Sequence, residues 1–390
     1  MIQDVSPPES SSSRRAYLEK VVGIPFTDRN SVTILRNGDE IFPAMLSAIE
    51  EAKVRILFET FVYWRGDIAQ RFAETLAEKS RQGVAVRVLL DAYGASEMKK
   101  DLVELMRNAG VSVRYFRPLN FRFWDFDKRT HRKLLVCDHQ VAFTGGVGIA
   151  AEWEGDARDA TEWRDSHYRF EGPAVGGLSG AFWNNWIKLS GEALPNPGDF
   201  ECLESEGDTG VLVMRSSPAS HQSEMELLFE GLIALAREKL VIVSPYFVIS
   251  GKTVAQLCDK AASGVDIEIL LPDKHIDKKV ALIVANECLK PLLDAGVVVR
   301  RYQVSMIHAK LIRVDDDLAC VGSPNFNHRS RKKDFEVAAV LQDKALCRTL
   351  DEHYKNDVSS SDLVDPDSIK RPGFLERICR SVLIRFREQL

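Results

Sequence analysis

The sequence predicts an α/β protein made of two tandem α/β/α repeats. Each repeat is expected to have a mixed, mostly parallel sheet, and the two to pack as a pseudo-two-fold intramolecular dimer. Three observations predict this. Segments of the first half recur in the second in the same order. Strand-like runs alternate with helical patterns inside each copy. A polar stretch, SGEALPNPGDFECLESEGDTG (190–210), separates the copies as a linker.

The opening residues, MIQDVSPPESSSSRR, are polar and rich in Ser and Pro, so residues 1–20 read as a disordered tail without a secretory signal. The first repeat is placed at 21–189. In it, IEEAKVRILFETFV (49–62) reads as a helix end running into a buried strand, and its counterpart is IALAREKLVIVSPYFV (233–248). The pattern DIAQRFAETLAEKSRQG (67–83) reads as an amphipathic helix. The strand RQGVAVRVLLD (81–91) is matched by ASGVDIEILLPD (262–273), and after the helical KKDLVELMRNAG (99–110), NAGVSVRYF (108–116) is matched by DAGVVVRRY (294–302). Finally HRKLLVCD (131–138) is matched by HAKLIRVD (308–315), each followed by a turn with glycine, FTGGVGIA (143–150) and CVGSPNF (320–326). The offset falls from 186 at Gly110/Gly296 to 177 at His131/His308, so the first copy carries nine extra residues within RPLNFRFWDFDKRT (117–130). The second repeat is placed at 211–360, and residues 361–390 close the chain with a basic amphipathic helix.

With 390 residues, 28% charged, 45% hydrophobic and a net charge of −5, the chain has an ordinary globular composition rather than that of a strongly basic nucleic-acid binder. Cys137, Cys202, Cys258, Cys288, Cys320, Cys347 and Cys379 show no metal-like spacing and read as reduced thiols of a cytosolic protein. No run approaches the ~18 apolar residues of a spanning helix.

The doubled strand carries the chemistry. Each copy holds His-x-Lys-x-x-x-x-Asp: His131, Lys133, Asp138 and His308, Lys310, Asp315. Alternation along a strand puts each His and Lys on one face. A lone His on a strand is usually structural, but the same three residues at equivalent places in two repeats argue for a site. If the copies meet about a two-fold axis, two imidazoles and two ammonium groups surround one cavity suited to a phosphodiester. One neutral His then attacks phosphorus, and the other, protonated, donates to the leaving alkoxide. Each needs a carboxylate behind its second nitrogen. Neither a metal nor another cofactor is required in this scheme.

These motifs resemble the HKD signature of the phospholipase D superfamily, over residues from about Val22 to Tyr354. The sequence is most similar to bacterial cardiolipin synthases of the phospholipase D type, in their short form without membrane spans. NGDEIFPAMLSAIEEAK (37–53), THRKLL (130–135), EWRDSHYRFEGPAV (162–175), SPYFV (244–248) and GSPNFNHRS (322–330) support the resemblance. It implies that the six motif residues form the catalytic set, with His131 as nucleophile, His308 as acid and base, and Lys133 and Lys310 on the phosphate. Asp138 and Asp315 are expected to brace the strand–turn geometry. Ser323 and Asn325 lie beside the second motif. Glu336 is expected behind His308 and Asp165 behind His131. Two positions depart from the pattern: Gly148 and Asp334 each stand where the family has Asn. Glu59, in FETF (58–61), is either a buried acid under the site or a strand-end residue.

The activity implied is transfer of a phosphatidyl group to an alcohol through a phosphohistidine. With phosphatidylglycerol as substrate the product is cardiolipin. A phospholipase D hydrolase, or a nuclease of the same superfamily, is the alternative; nucleic acid is not an expected partner. The expected setting is the cytoplasm, on the anionic inner face of the cell membrane. Two stretches suit a headgroup region. In 116–133, Phe116, Phe121, Phe123, Trp124 and Phe126 alternate with Arg117, Arg122, Lys128 and Arg129. In 370–390, Phe374, Ile378, Val382, Phe386 and Leu390 repeat every four residues in a segment of net charge +4. Packing onto the protein's own domains is the competing reading for both.

Overall fold

A computed structural model describes residues 10–118, 128–193, 195–200, 205–218 and 223–368. In chain order the elements of the first half are α1 (Ser11–Val22), β1 (Thr27–Arg36), α2 (Asn37–Glu51), β2 (Arg55–Thr60), α3 (Asp67–Arg81), β3 (Ala85–Asp91), α4 (Lys100–Asn108), β4 (Ser112–Phe116), β5 (Leu134–Cys137), β6 (Val141–Gly145), β7 (Ser166–Glu171) and α5 (Ala174–Ser190). The second half contains β8 (Thr209–Ser216), α6 (Glu224–Leu235), β9 (Lys239–Val243), α7 (Gly251–Ala262), β10 (Asp266–Pro272), α8 (Lys279–Asp294), β11 (Val298–Tyr302), β12 (Leu311–Val314), β13 (Leu318–Gly322), α9 (His328–Lys332), β14 (Glu336–Gln342), α10 (Lys344–Ser359) and β15 (Ser361–Leu363).

The strands join into one sheet of 15, and its order exposes the repeat. Outward from the β1/β8 seam, one half runs β1-β7-β6-β5-β2-β3-β4 and the other β8-β14-β13-β12-β9-β10-β11, with β15 added at the far edge. The seam itself is antiparallel, with Thr27 opposite Val211 and Asn30 opposite Thr209, as a two-fold axis between equivalent strands requires. Parallel pairing is confined to β2-β3-β4 and β9-β10-β11, the strands separated by helices. The remaining neighbours are antiparallel, and short hairpins connect β5-β6 and β12-β13.

The helices follow from apolar spacing. In α3, Ile68, Ala69, Phe72, Ala73, Leu76 and Ala77 are buried and form one stripe. The segment that begins α6 reads Ser-Glu-Met-Glu, and the Ser223 side chain accepts the Glu226 N–H as a capping box should. These stripes build three cores. One lies under the outer helices of the first repeat and another under those of the second. The third is shared: Tyr168, Phe170, Phe182 and Trp186 pack with Val241, Phe335, Val337 and Tyr354 across the two-fold.

The tail expectation fails from Ser10 onward. α1 is capped by Ser10, and its Leu18 is fully buried in the core of the second repeat. Arg14 reaches Asp317 at 2.6 Å and Asp315 at 3.1 Å. Leu18 is the one fully buried apolar side chain of this helix, with Tyr17 and Val22 packed partly buried beside it, so a Ser- and Arg-rich start masks a short apolar face. Phe121, Arg122, Phe123, Trp124 and Phe126, and all of 370–390, lie outside the described residues. At the flanks of the first stretch, Phe116 is buried in the shared core and Arg129 pairs with buried Asp91 at 3.3 Å. No helix among the described residues is long and apolar enough to cross a membrane.

Candidate active site

His131–Lys133 and His308–Lys310 lie on extended lead-ins just before β5 and β12. Each lead-in bridges to the other repeat. His131 N–H donates to Phe335 O at 2.9 Å and Phe335 N–H to Arg129 O at 2.9 Å. The two-fold mate of this bridge joins His308 N–H to Arg164 O at 2.7 Å and Arg164 N–H to Met306 O at 2.9 Å. The next residue on each partner segment is a carboxylate, which this register sets beside the histidine.

His131 Nδ1 therefore lies 3.0 Å from Glu336 Oε1, and His308 Nδ1 lies 2.7 Å from Asp165 Oδ2. The expected pairing, Asp165 with His131 and Glu336 with His308 inside single repeats, is wrong: the carboxylates cross over. Trp153 Nε1 donates to Asp165 at 2.8 Å, and Ser323 Oγ donates to Glu336. Ser323 thus braces a carboxylate. Its counterpart in the first repeat is Gly146, where a Cβ would come 2.1 Å from Asp165 Oδ1, so only glycine admits Asp165.

Both histidines and Lys133 line one cavity of about 310 Å³, with Asn325 on its wall. Lys310 approaches beneath His308, its Nζ 3.2 Å from Nε2. The aromatic surroundings differ. Phe61 packs on His131 at 5.3 Å between ring centroids, whereas Trp153, Trp163 and Tyr246 surround His308 at 5.2, 5.4 and 6.4 Å. Trp163 and Tyr246 stand in EWRDSH and SPYFV, and no spacing rule ties them to His308.

Burial governs the electrostatics. It pushes His131 down to about 4 and His308 down to about 3, with the lysines adding to the effect and the carboxylates opposing it. Burial likewise lowers Lys133 to about 8 and Lys310 to about 7. For Asp165 and Glu336 burial acts upward, but the cationic surroundings and hydrogen bonds hold both below the usual carboxylate range. The free site thus presents two neutral imidazoles, each with Nδ1 tied to an ionised carboxylate, and Lys310 Nζ approaches Nε2 of His308.

Asp138 and Asp315 do not belong to this constellation. Both adopt positive φ, at 55° and 52°. Asp138 accepts the backbone N–H groups of Lys53, Val54 and Arg55, and Asp315 those of Arg237, Glu238 and Lys239. They clamp the turns into β2 and β9, so their place in the catalytic set is corrected to the bracing role. The two departures also gain physical reasons. A Cβ at Gly148 would lie 2.6 Å from Val62 Cβ, leaving no room for an asparagine. Asp334 lines the cavity, pairs with Arg329 at 2.9 Å, and is pushed up to about 7 by burial.

Glu59 proves to be a fully buried acid beneath the first lead-in. Thr130 Oγ1 donates to it at 2.5 Å and Asn185 Nδ2 at 2.7 Å. Burial raises it from 4.5 to about 7. A carboxyl whose folded value lies above its unfolded value stabilises the fold while protonated, and that contribution is lost as pH rises through the folded value. Urea unfolding at pH 5 and pH 8 is therefore expected to show Glu59→Gln gaining on the natural protein as pH rises, by up to roughly 3 kcal/mol. Parallel pH profiles for the two proteins would remove Glu59 as a buried titrating group.

Two α/β repeats that bring paired His and Lys residues to one cavity across a pseudo-two-fold define a protein of the phospholipase D-like class. The family model described as the cardiolipin synthase, phospholipase D-like domain matches residues 45–152 and 230–358, and the chain belongs to that family. Cardiolipin synthase 2 of Bacillus cereus is 32% identical over 351 residues, which cover 89% of this chain and 68% of the relative. Cardiolipin synthase of Geobacillus kaustophilus is 32% identical over 362 residues, covering 92% and 72%. The crystal structure of phosphatidylserine synthase from Haemophilus influenzae Rd KW20 superposes with a TM-score of 0.74 at 14% identity, over 96% of this chain and 97% of that one, a likeness of fold.

Proposed function

We propose that this protein transfers a phosphatidyl group from one phospholipid to the hydroxyl of another, forming cardiolipin from phosphatidylglycerol. The observation that carries the reading is the pair of imidazoles facing one cavity, each with Nδ1 held by a carboxylate of the opposite repeat. His131 Nε2 attacks phosphorus; an N–P bond forms, the P–O bond to the departing headgroup breaks, and His308 Nε2–H protonates the leaving oxygen. The acceptor hydroxyl then gives its proton to His308 Nε2 and its oxygen bonds to phosphorus. The N–P bond breaks and His131 returns neutral. The phosphodiester anion favours protonation of His308 Nε2 by solvent and keeps Lys310 in its ammonium form. Lys133, Lys310 and the Asn325 amide carry the charge that develops on the phosphoryl oxygens.

Water as acceptor makes the same site a hydrolase, and the choice rests on what occupies the cavity beside His308. The family and its curated relatives favour transfer. Incubation of the full chain with phosphatidylglycerol vesicles, with products read by mass spectrometry, tests this. Cardiolipin with free glycerol is expected. Phosphatidic acid alone would make the enzyme a hydrolase, and no lipid product would end the proposal.

A further inference from the structure

The two ends of the cavity are chemically different, and the difference points to how the acceptor is chosen. In the reaction above, the acceptor hydroxyl meets His308. The wall on that side carries Trp163, Tyr246 and Asp277, the last in the turn before α8. Three carboxylates without a histidine partner line the cavity: Glu97, Asp334 and Asp277. Glu97 is paired with Arg65 at 3.0 Å and Asp334 with Arg329 at 2.9 Å. Asp277 has no such ion pair among the described residues. Instead it is oriented by neutral donors. The Tyr246 hydroxyl lies 2.7 Å from both its oxygens, and the Lys278 N–H donates to Oδ1 at 2.8 Å. Tyr246 is itself 8% exposed, and the Lys278 ammonium sits 5.3 Å from its ring centroid.

A carboxylate held by a phenol hydroxyl, with aromatic rings beside it, suits one class of ligand. One O–H of a 1,2-diol donates to the carboxylate and leaves the adjacent O–H to meet His308, while the C–H face of the diol packs on the rings. The free glycerol end of a phosphatidylglycerol has this chemistry; a simple alcohol or water does not. We infer that Asp277, oriented by Tyr246 beside His308, is an acceptor subsite for a vicinal diol. The inference rests on the phosphatidyltransferase reading and deepens it, because it names what distinguishes an acceptor from water. Its binding role is independent of the histidine chemistry: Asp277 holds the neighbouring hydroxyl, and His308 takes the proton of the one that attacks.

The test offers the full chain a phosphatidylglycerol vesicle and equal concentrations of 1,2-propanediol and 1-propanol, and reads the two phosphatidyl products by mass spectrometry. The natural protein is expected to prefer the diol by about tenfold, the worth of a hydrogen bond to a charged group, and Asp277→Asn and Asp277→Ala to bring the ratio to within about twofold of one. Tyr246→Phe leaves the carboxylate but removes its orienting donor, and is expected to give an intermediate ratio; it carries the test if the Asp277 variants do not fold. A natural protein that makes phosphatidylpropanol without favouring the diol overturns the subsite and leaves the transferase reading standing. Variants that keep the natural ratio overturn it as well. Cardiolipin without either small-alcohol product overturns the diol subsite and leaves the transferase reading standing, whereas absence of cardiolipin and of both transfer products overturns the transferase reading, and the subsite with it.

Discussion

His131→Ala and His308→Ala are each expected to lose at least roughly 10⁴-fold in turnover of phosphatidylglycerol, because each removes a group that makes or breaks a bond to phosphorus or its oxygens. The two losses differ in kind. Without His131 no N–P bond forms, and no substrate restores one. Without His308 the leaving oxygen lacks its proton donor, but a p-nitrophenyl phosphodiester leaves without protonation. His308→Ala should therefore form the phosphoenzyme from that substrate and stall there, since no base remains to activate the acceptor. Intact-protein mass spectrometry reads the adduct, and tryptic mapping places it on residue 131. Near-normal turnover in either variant, or an adduct on residue 308 of the natural protein, would overturn the assignment of roles.

The local part of the site was legible in the chain and the part that crosses between repeats was not. The His-x-Lys pairs, the glycine turns and the internal offset are short-range patterns, each written twice, and the sheet order repeats them about the β1/β8 seam. The orienting carboxylates are 205 and 143 residues from their histidines. Assigning them within one repeat is the natural guess for a motif that looks self-contained. The lead-ins overturn it by bridging Thr130 to Phe335 and Ile307 to Arg164. Asp138 and Asp315 mislead in the opposite sense: they are as regularly spaced as the histidines, but their spacing serves two backbone turns. Glu59 was ambiguous because a strand-end carboxylate and a buried one look alike until Thr130 and Asn185 close over it.

The crossed carboxylates make a prediction that pairing inside each repeat reverses. Replacing the acid behind a histidine keeps the shape but no longer holds the proton on Nδ1 or stabilises the imidazolium, a loss of roughly 10³–10⁴-fold for an Asp–His pair. Glu336→Gln should act on His131, which must be a good nucleophile at Nε2. Phosphoenzyme formation slows even from the p-nitrophenyl ester, and no adduct accumulates. Asp165→Asn should act on His308, which that ester does not need as an acid. Formation then survives, breakdown by the acceptor slows, and the adduct on His131 builds up. Rapid quenching with intact-mass detection separates the two outcomes. Accumulation in Glu336→Gln and its absence in Asp165→Asn would mean that each repeat supplies its own pair. The observed register argues against that result: the bridge that ties each histidine lead-in to the other repeat also delivers the carboxylate, so neither repeat alone contains an oriented imidazole.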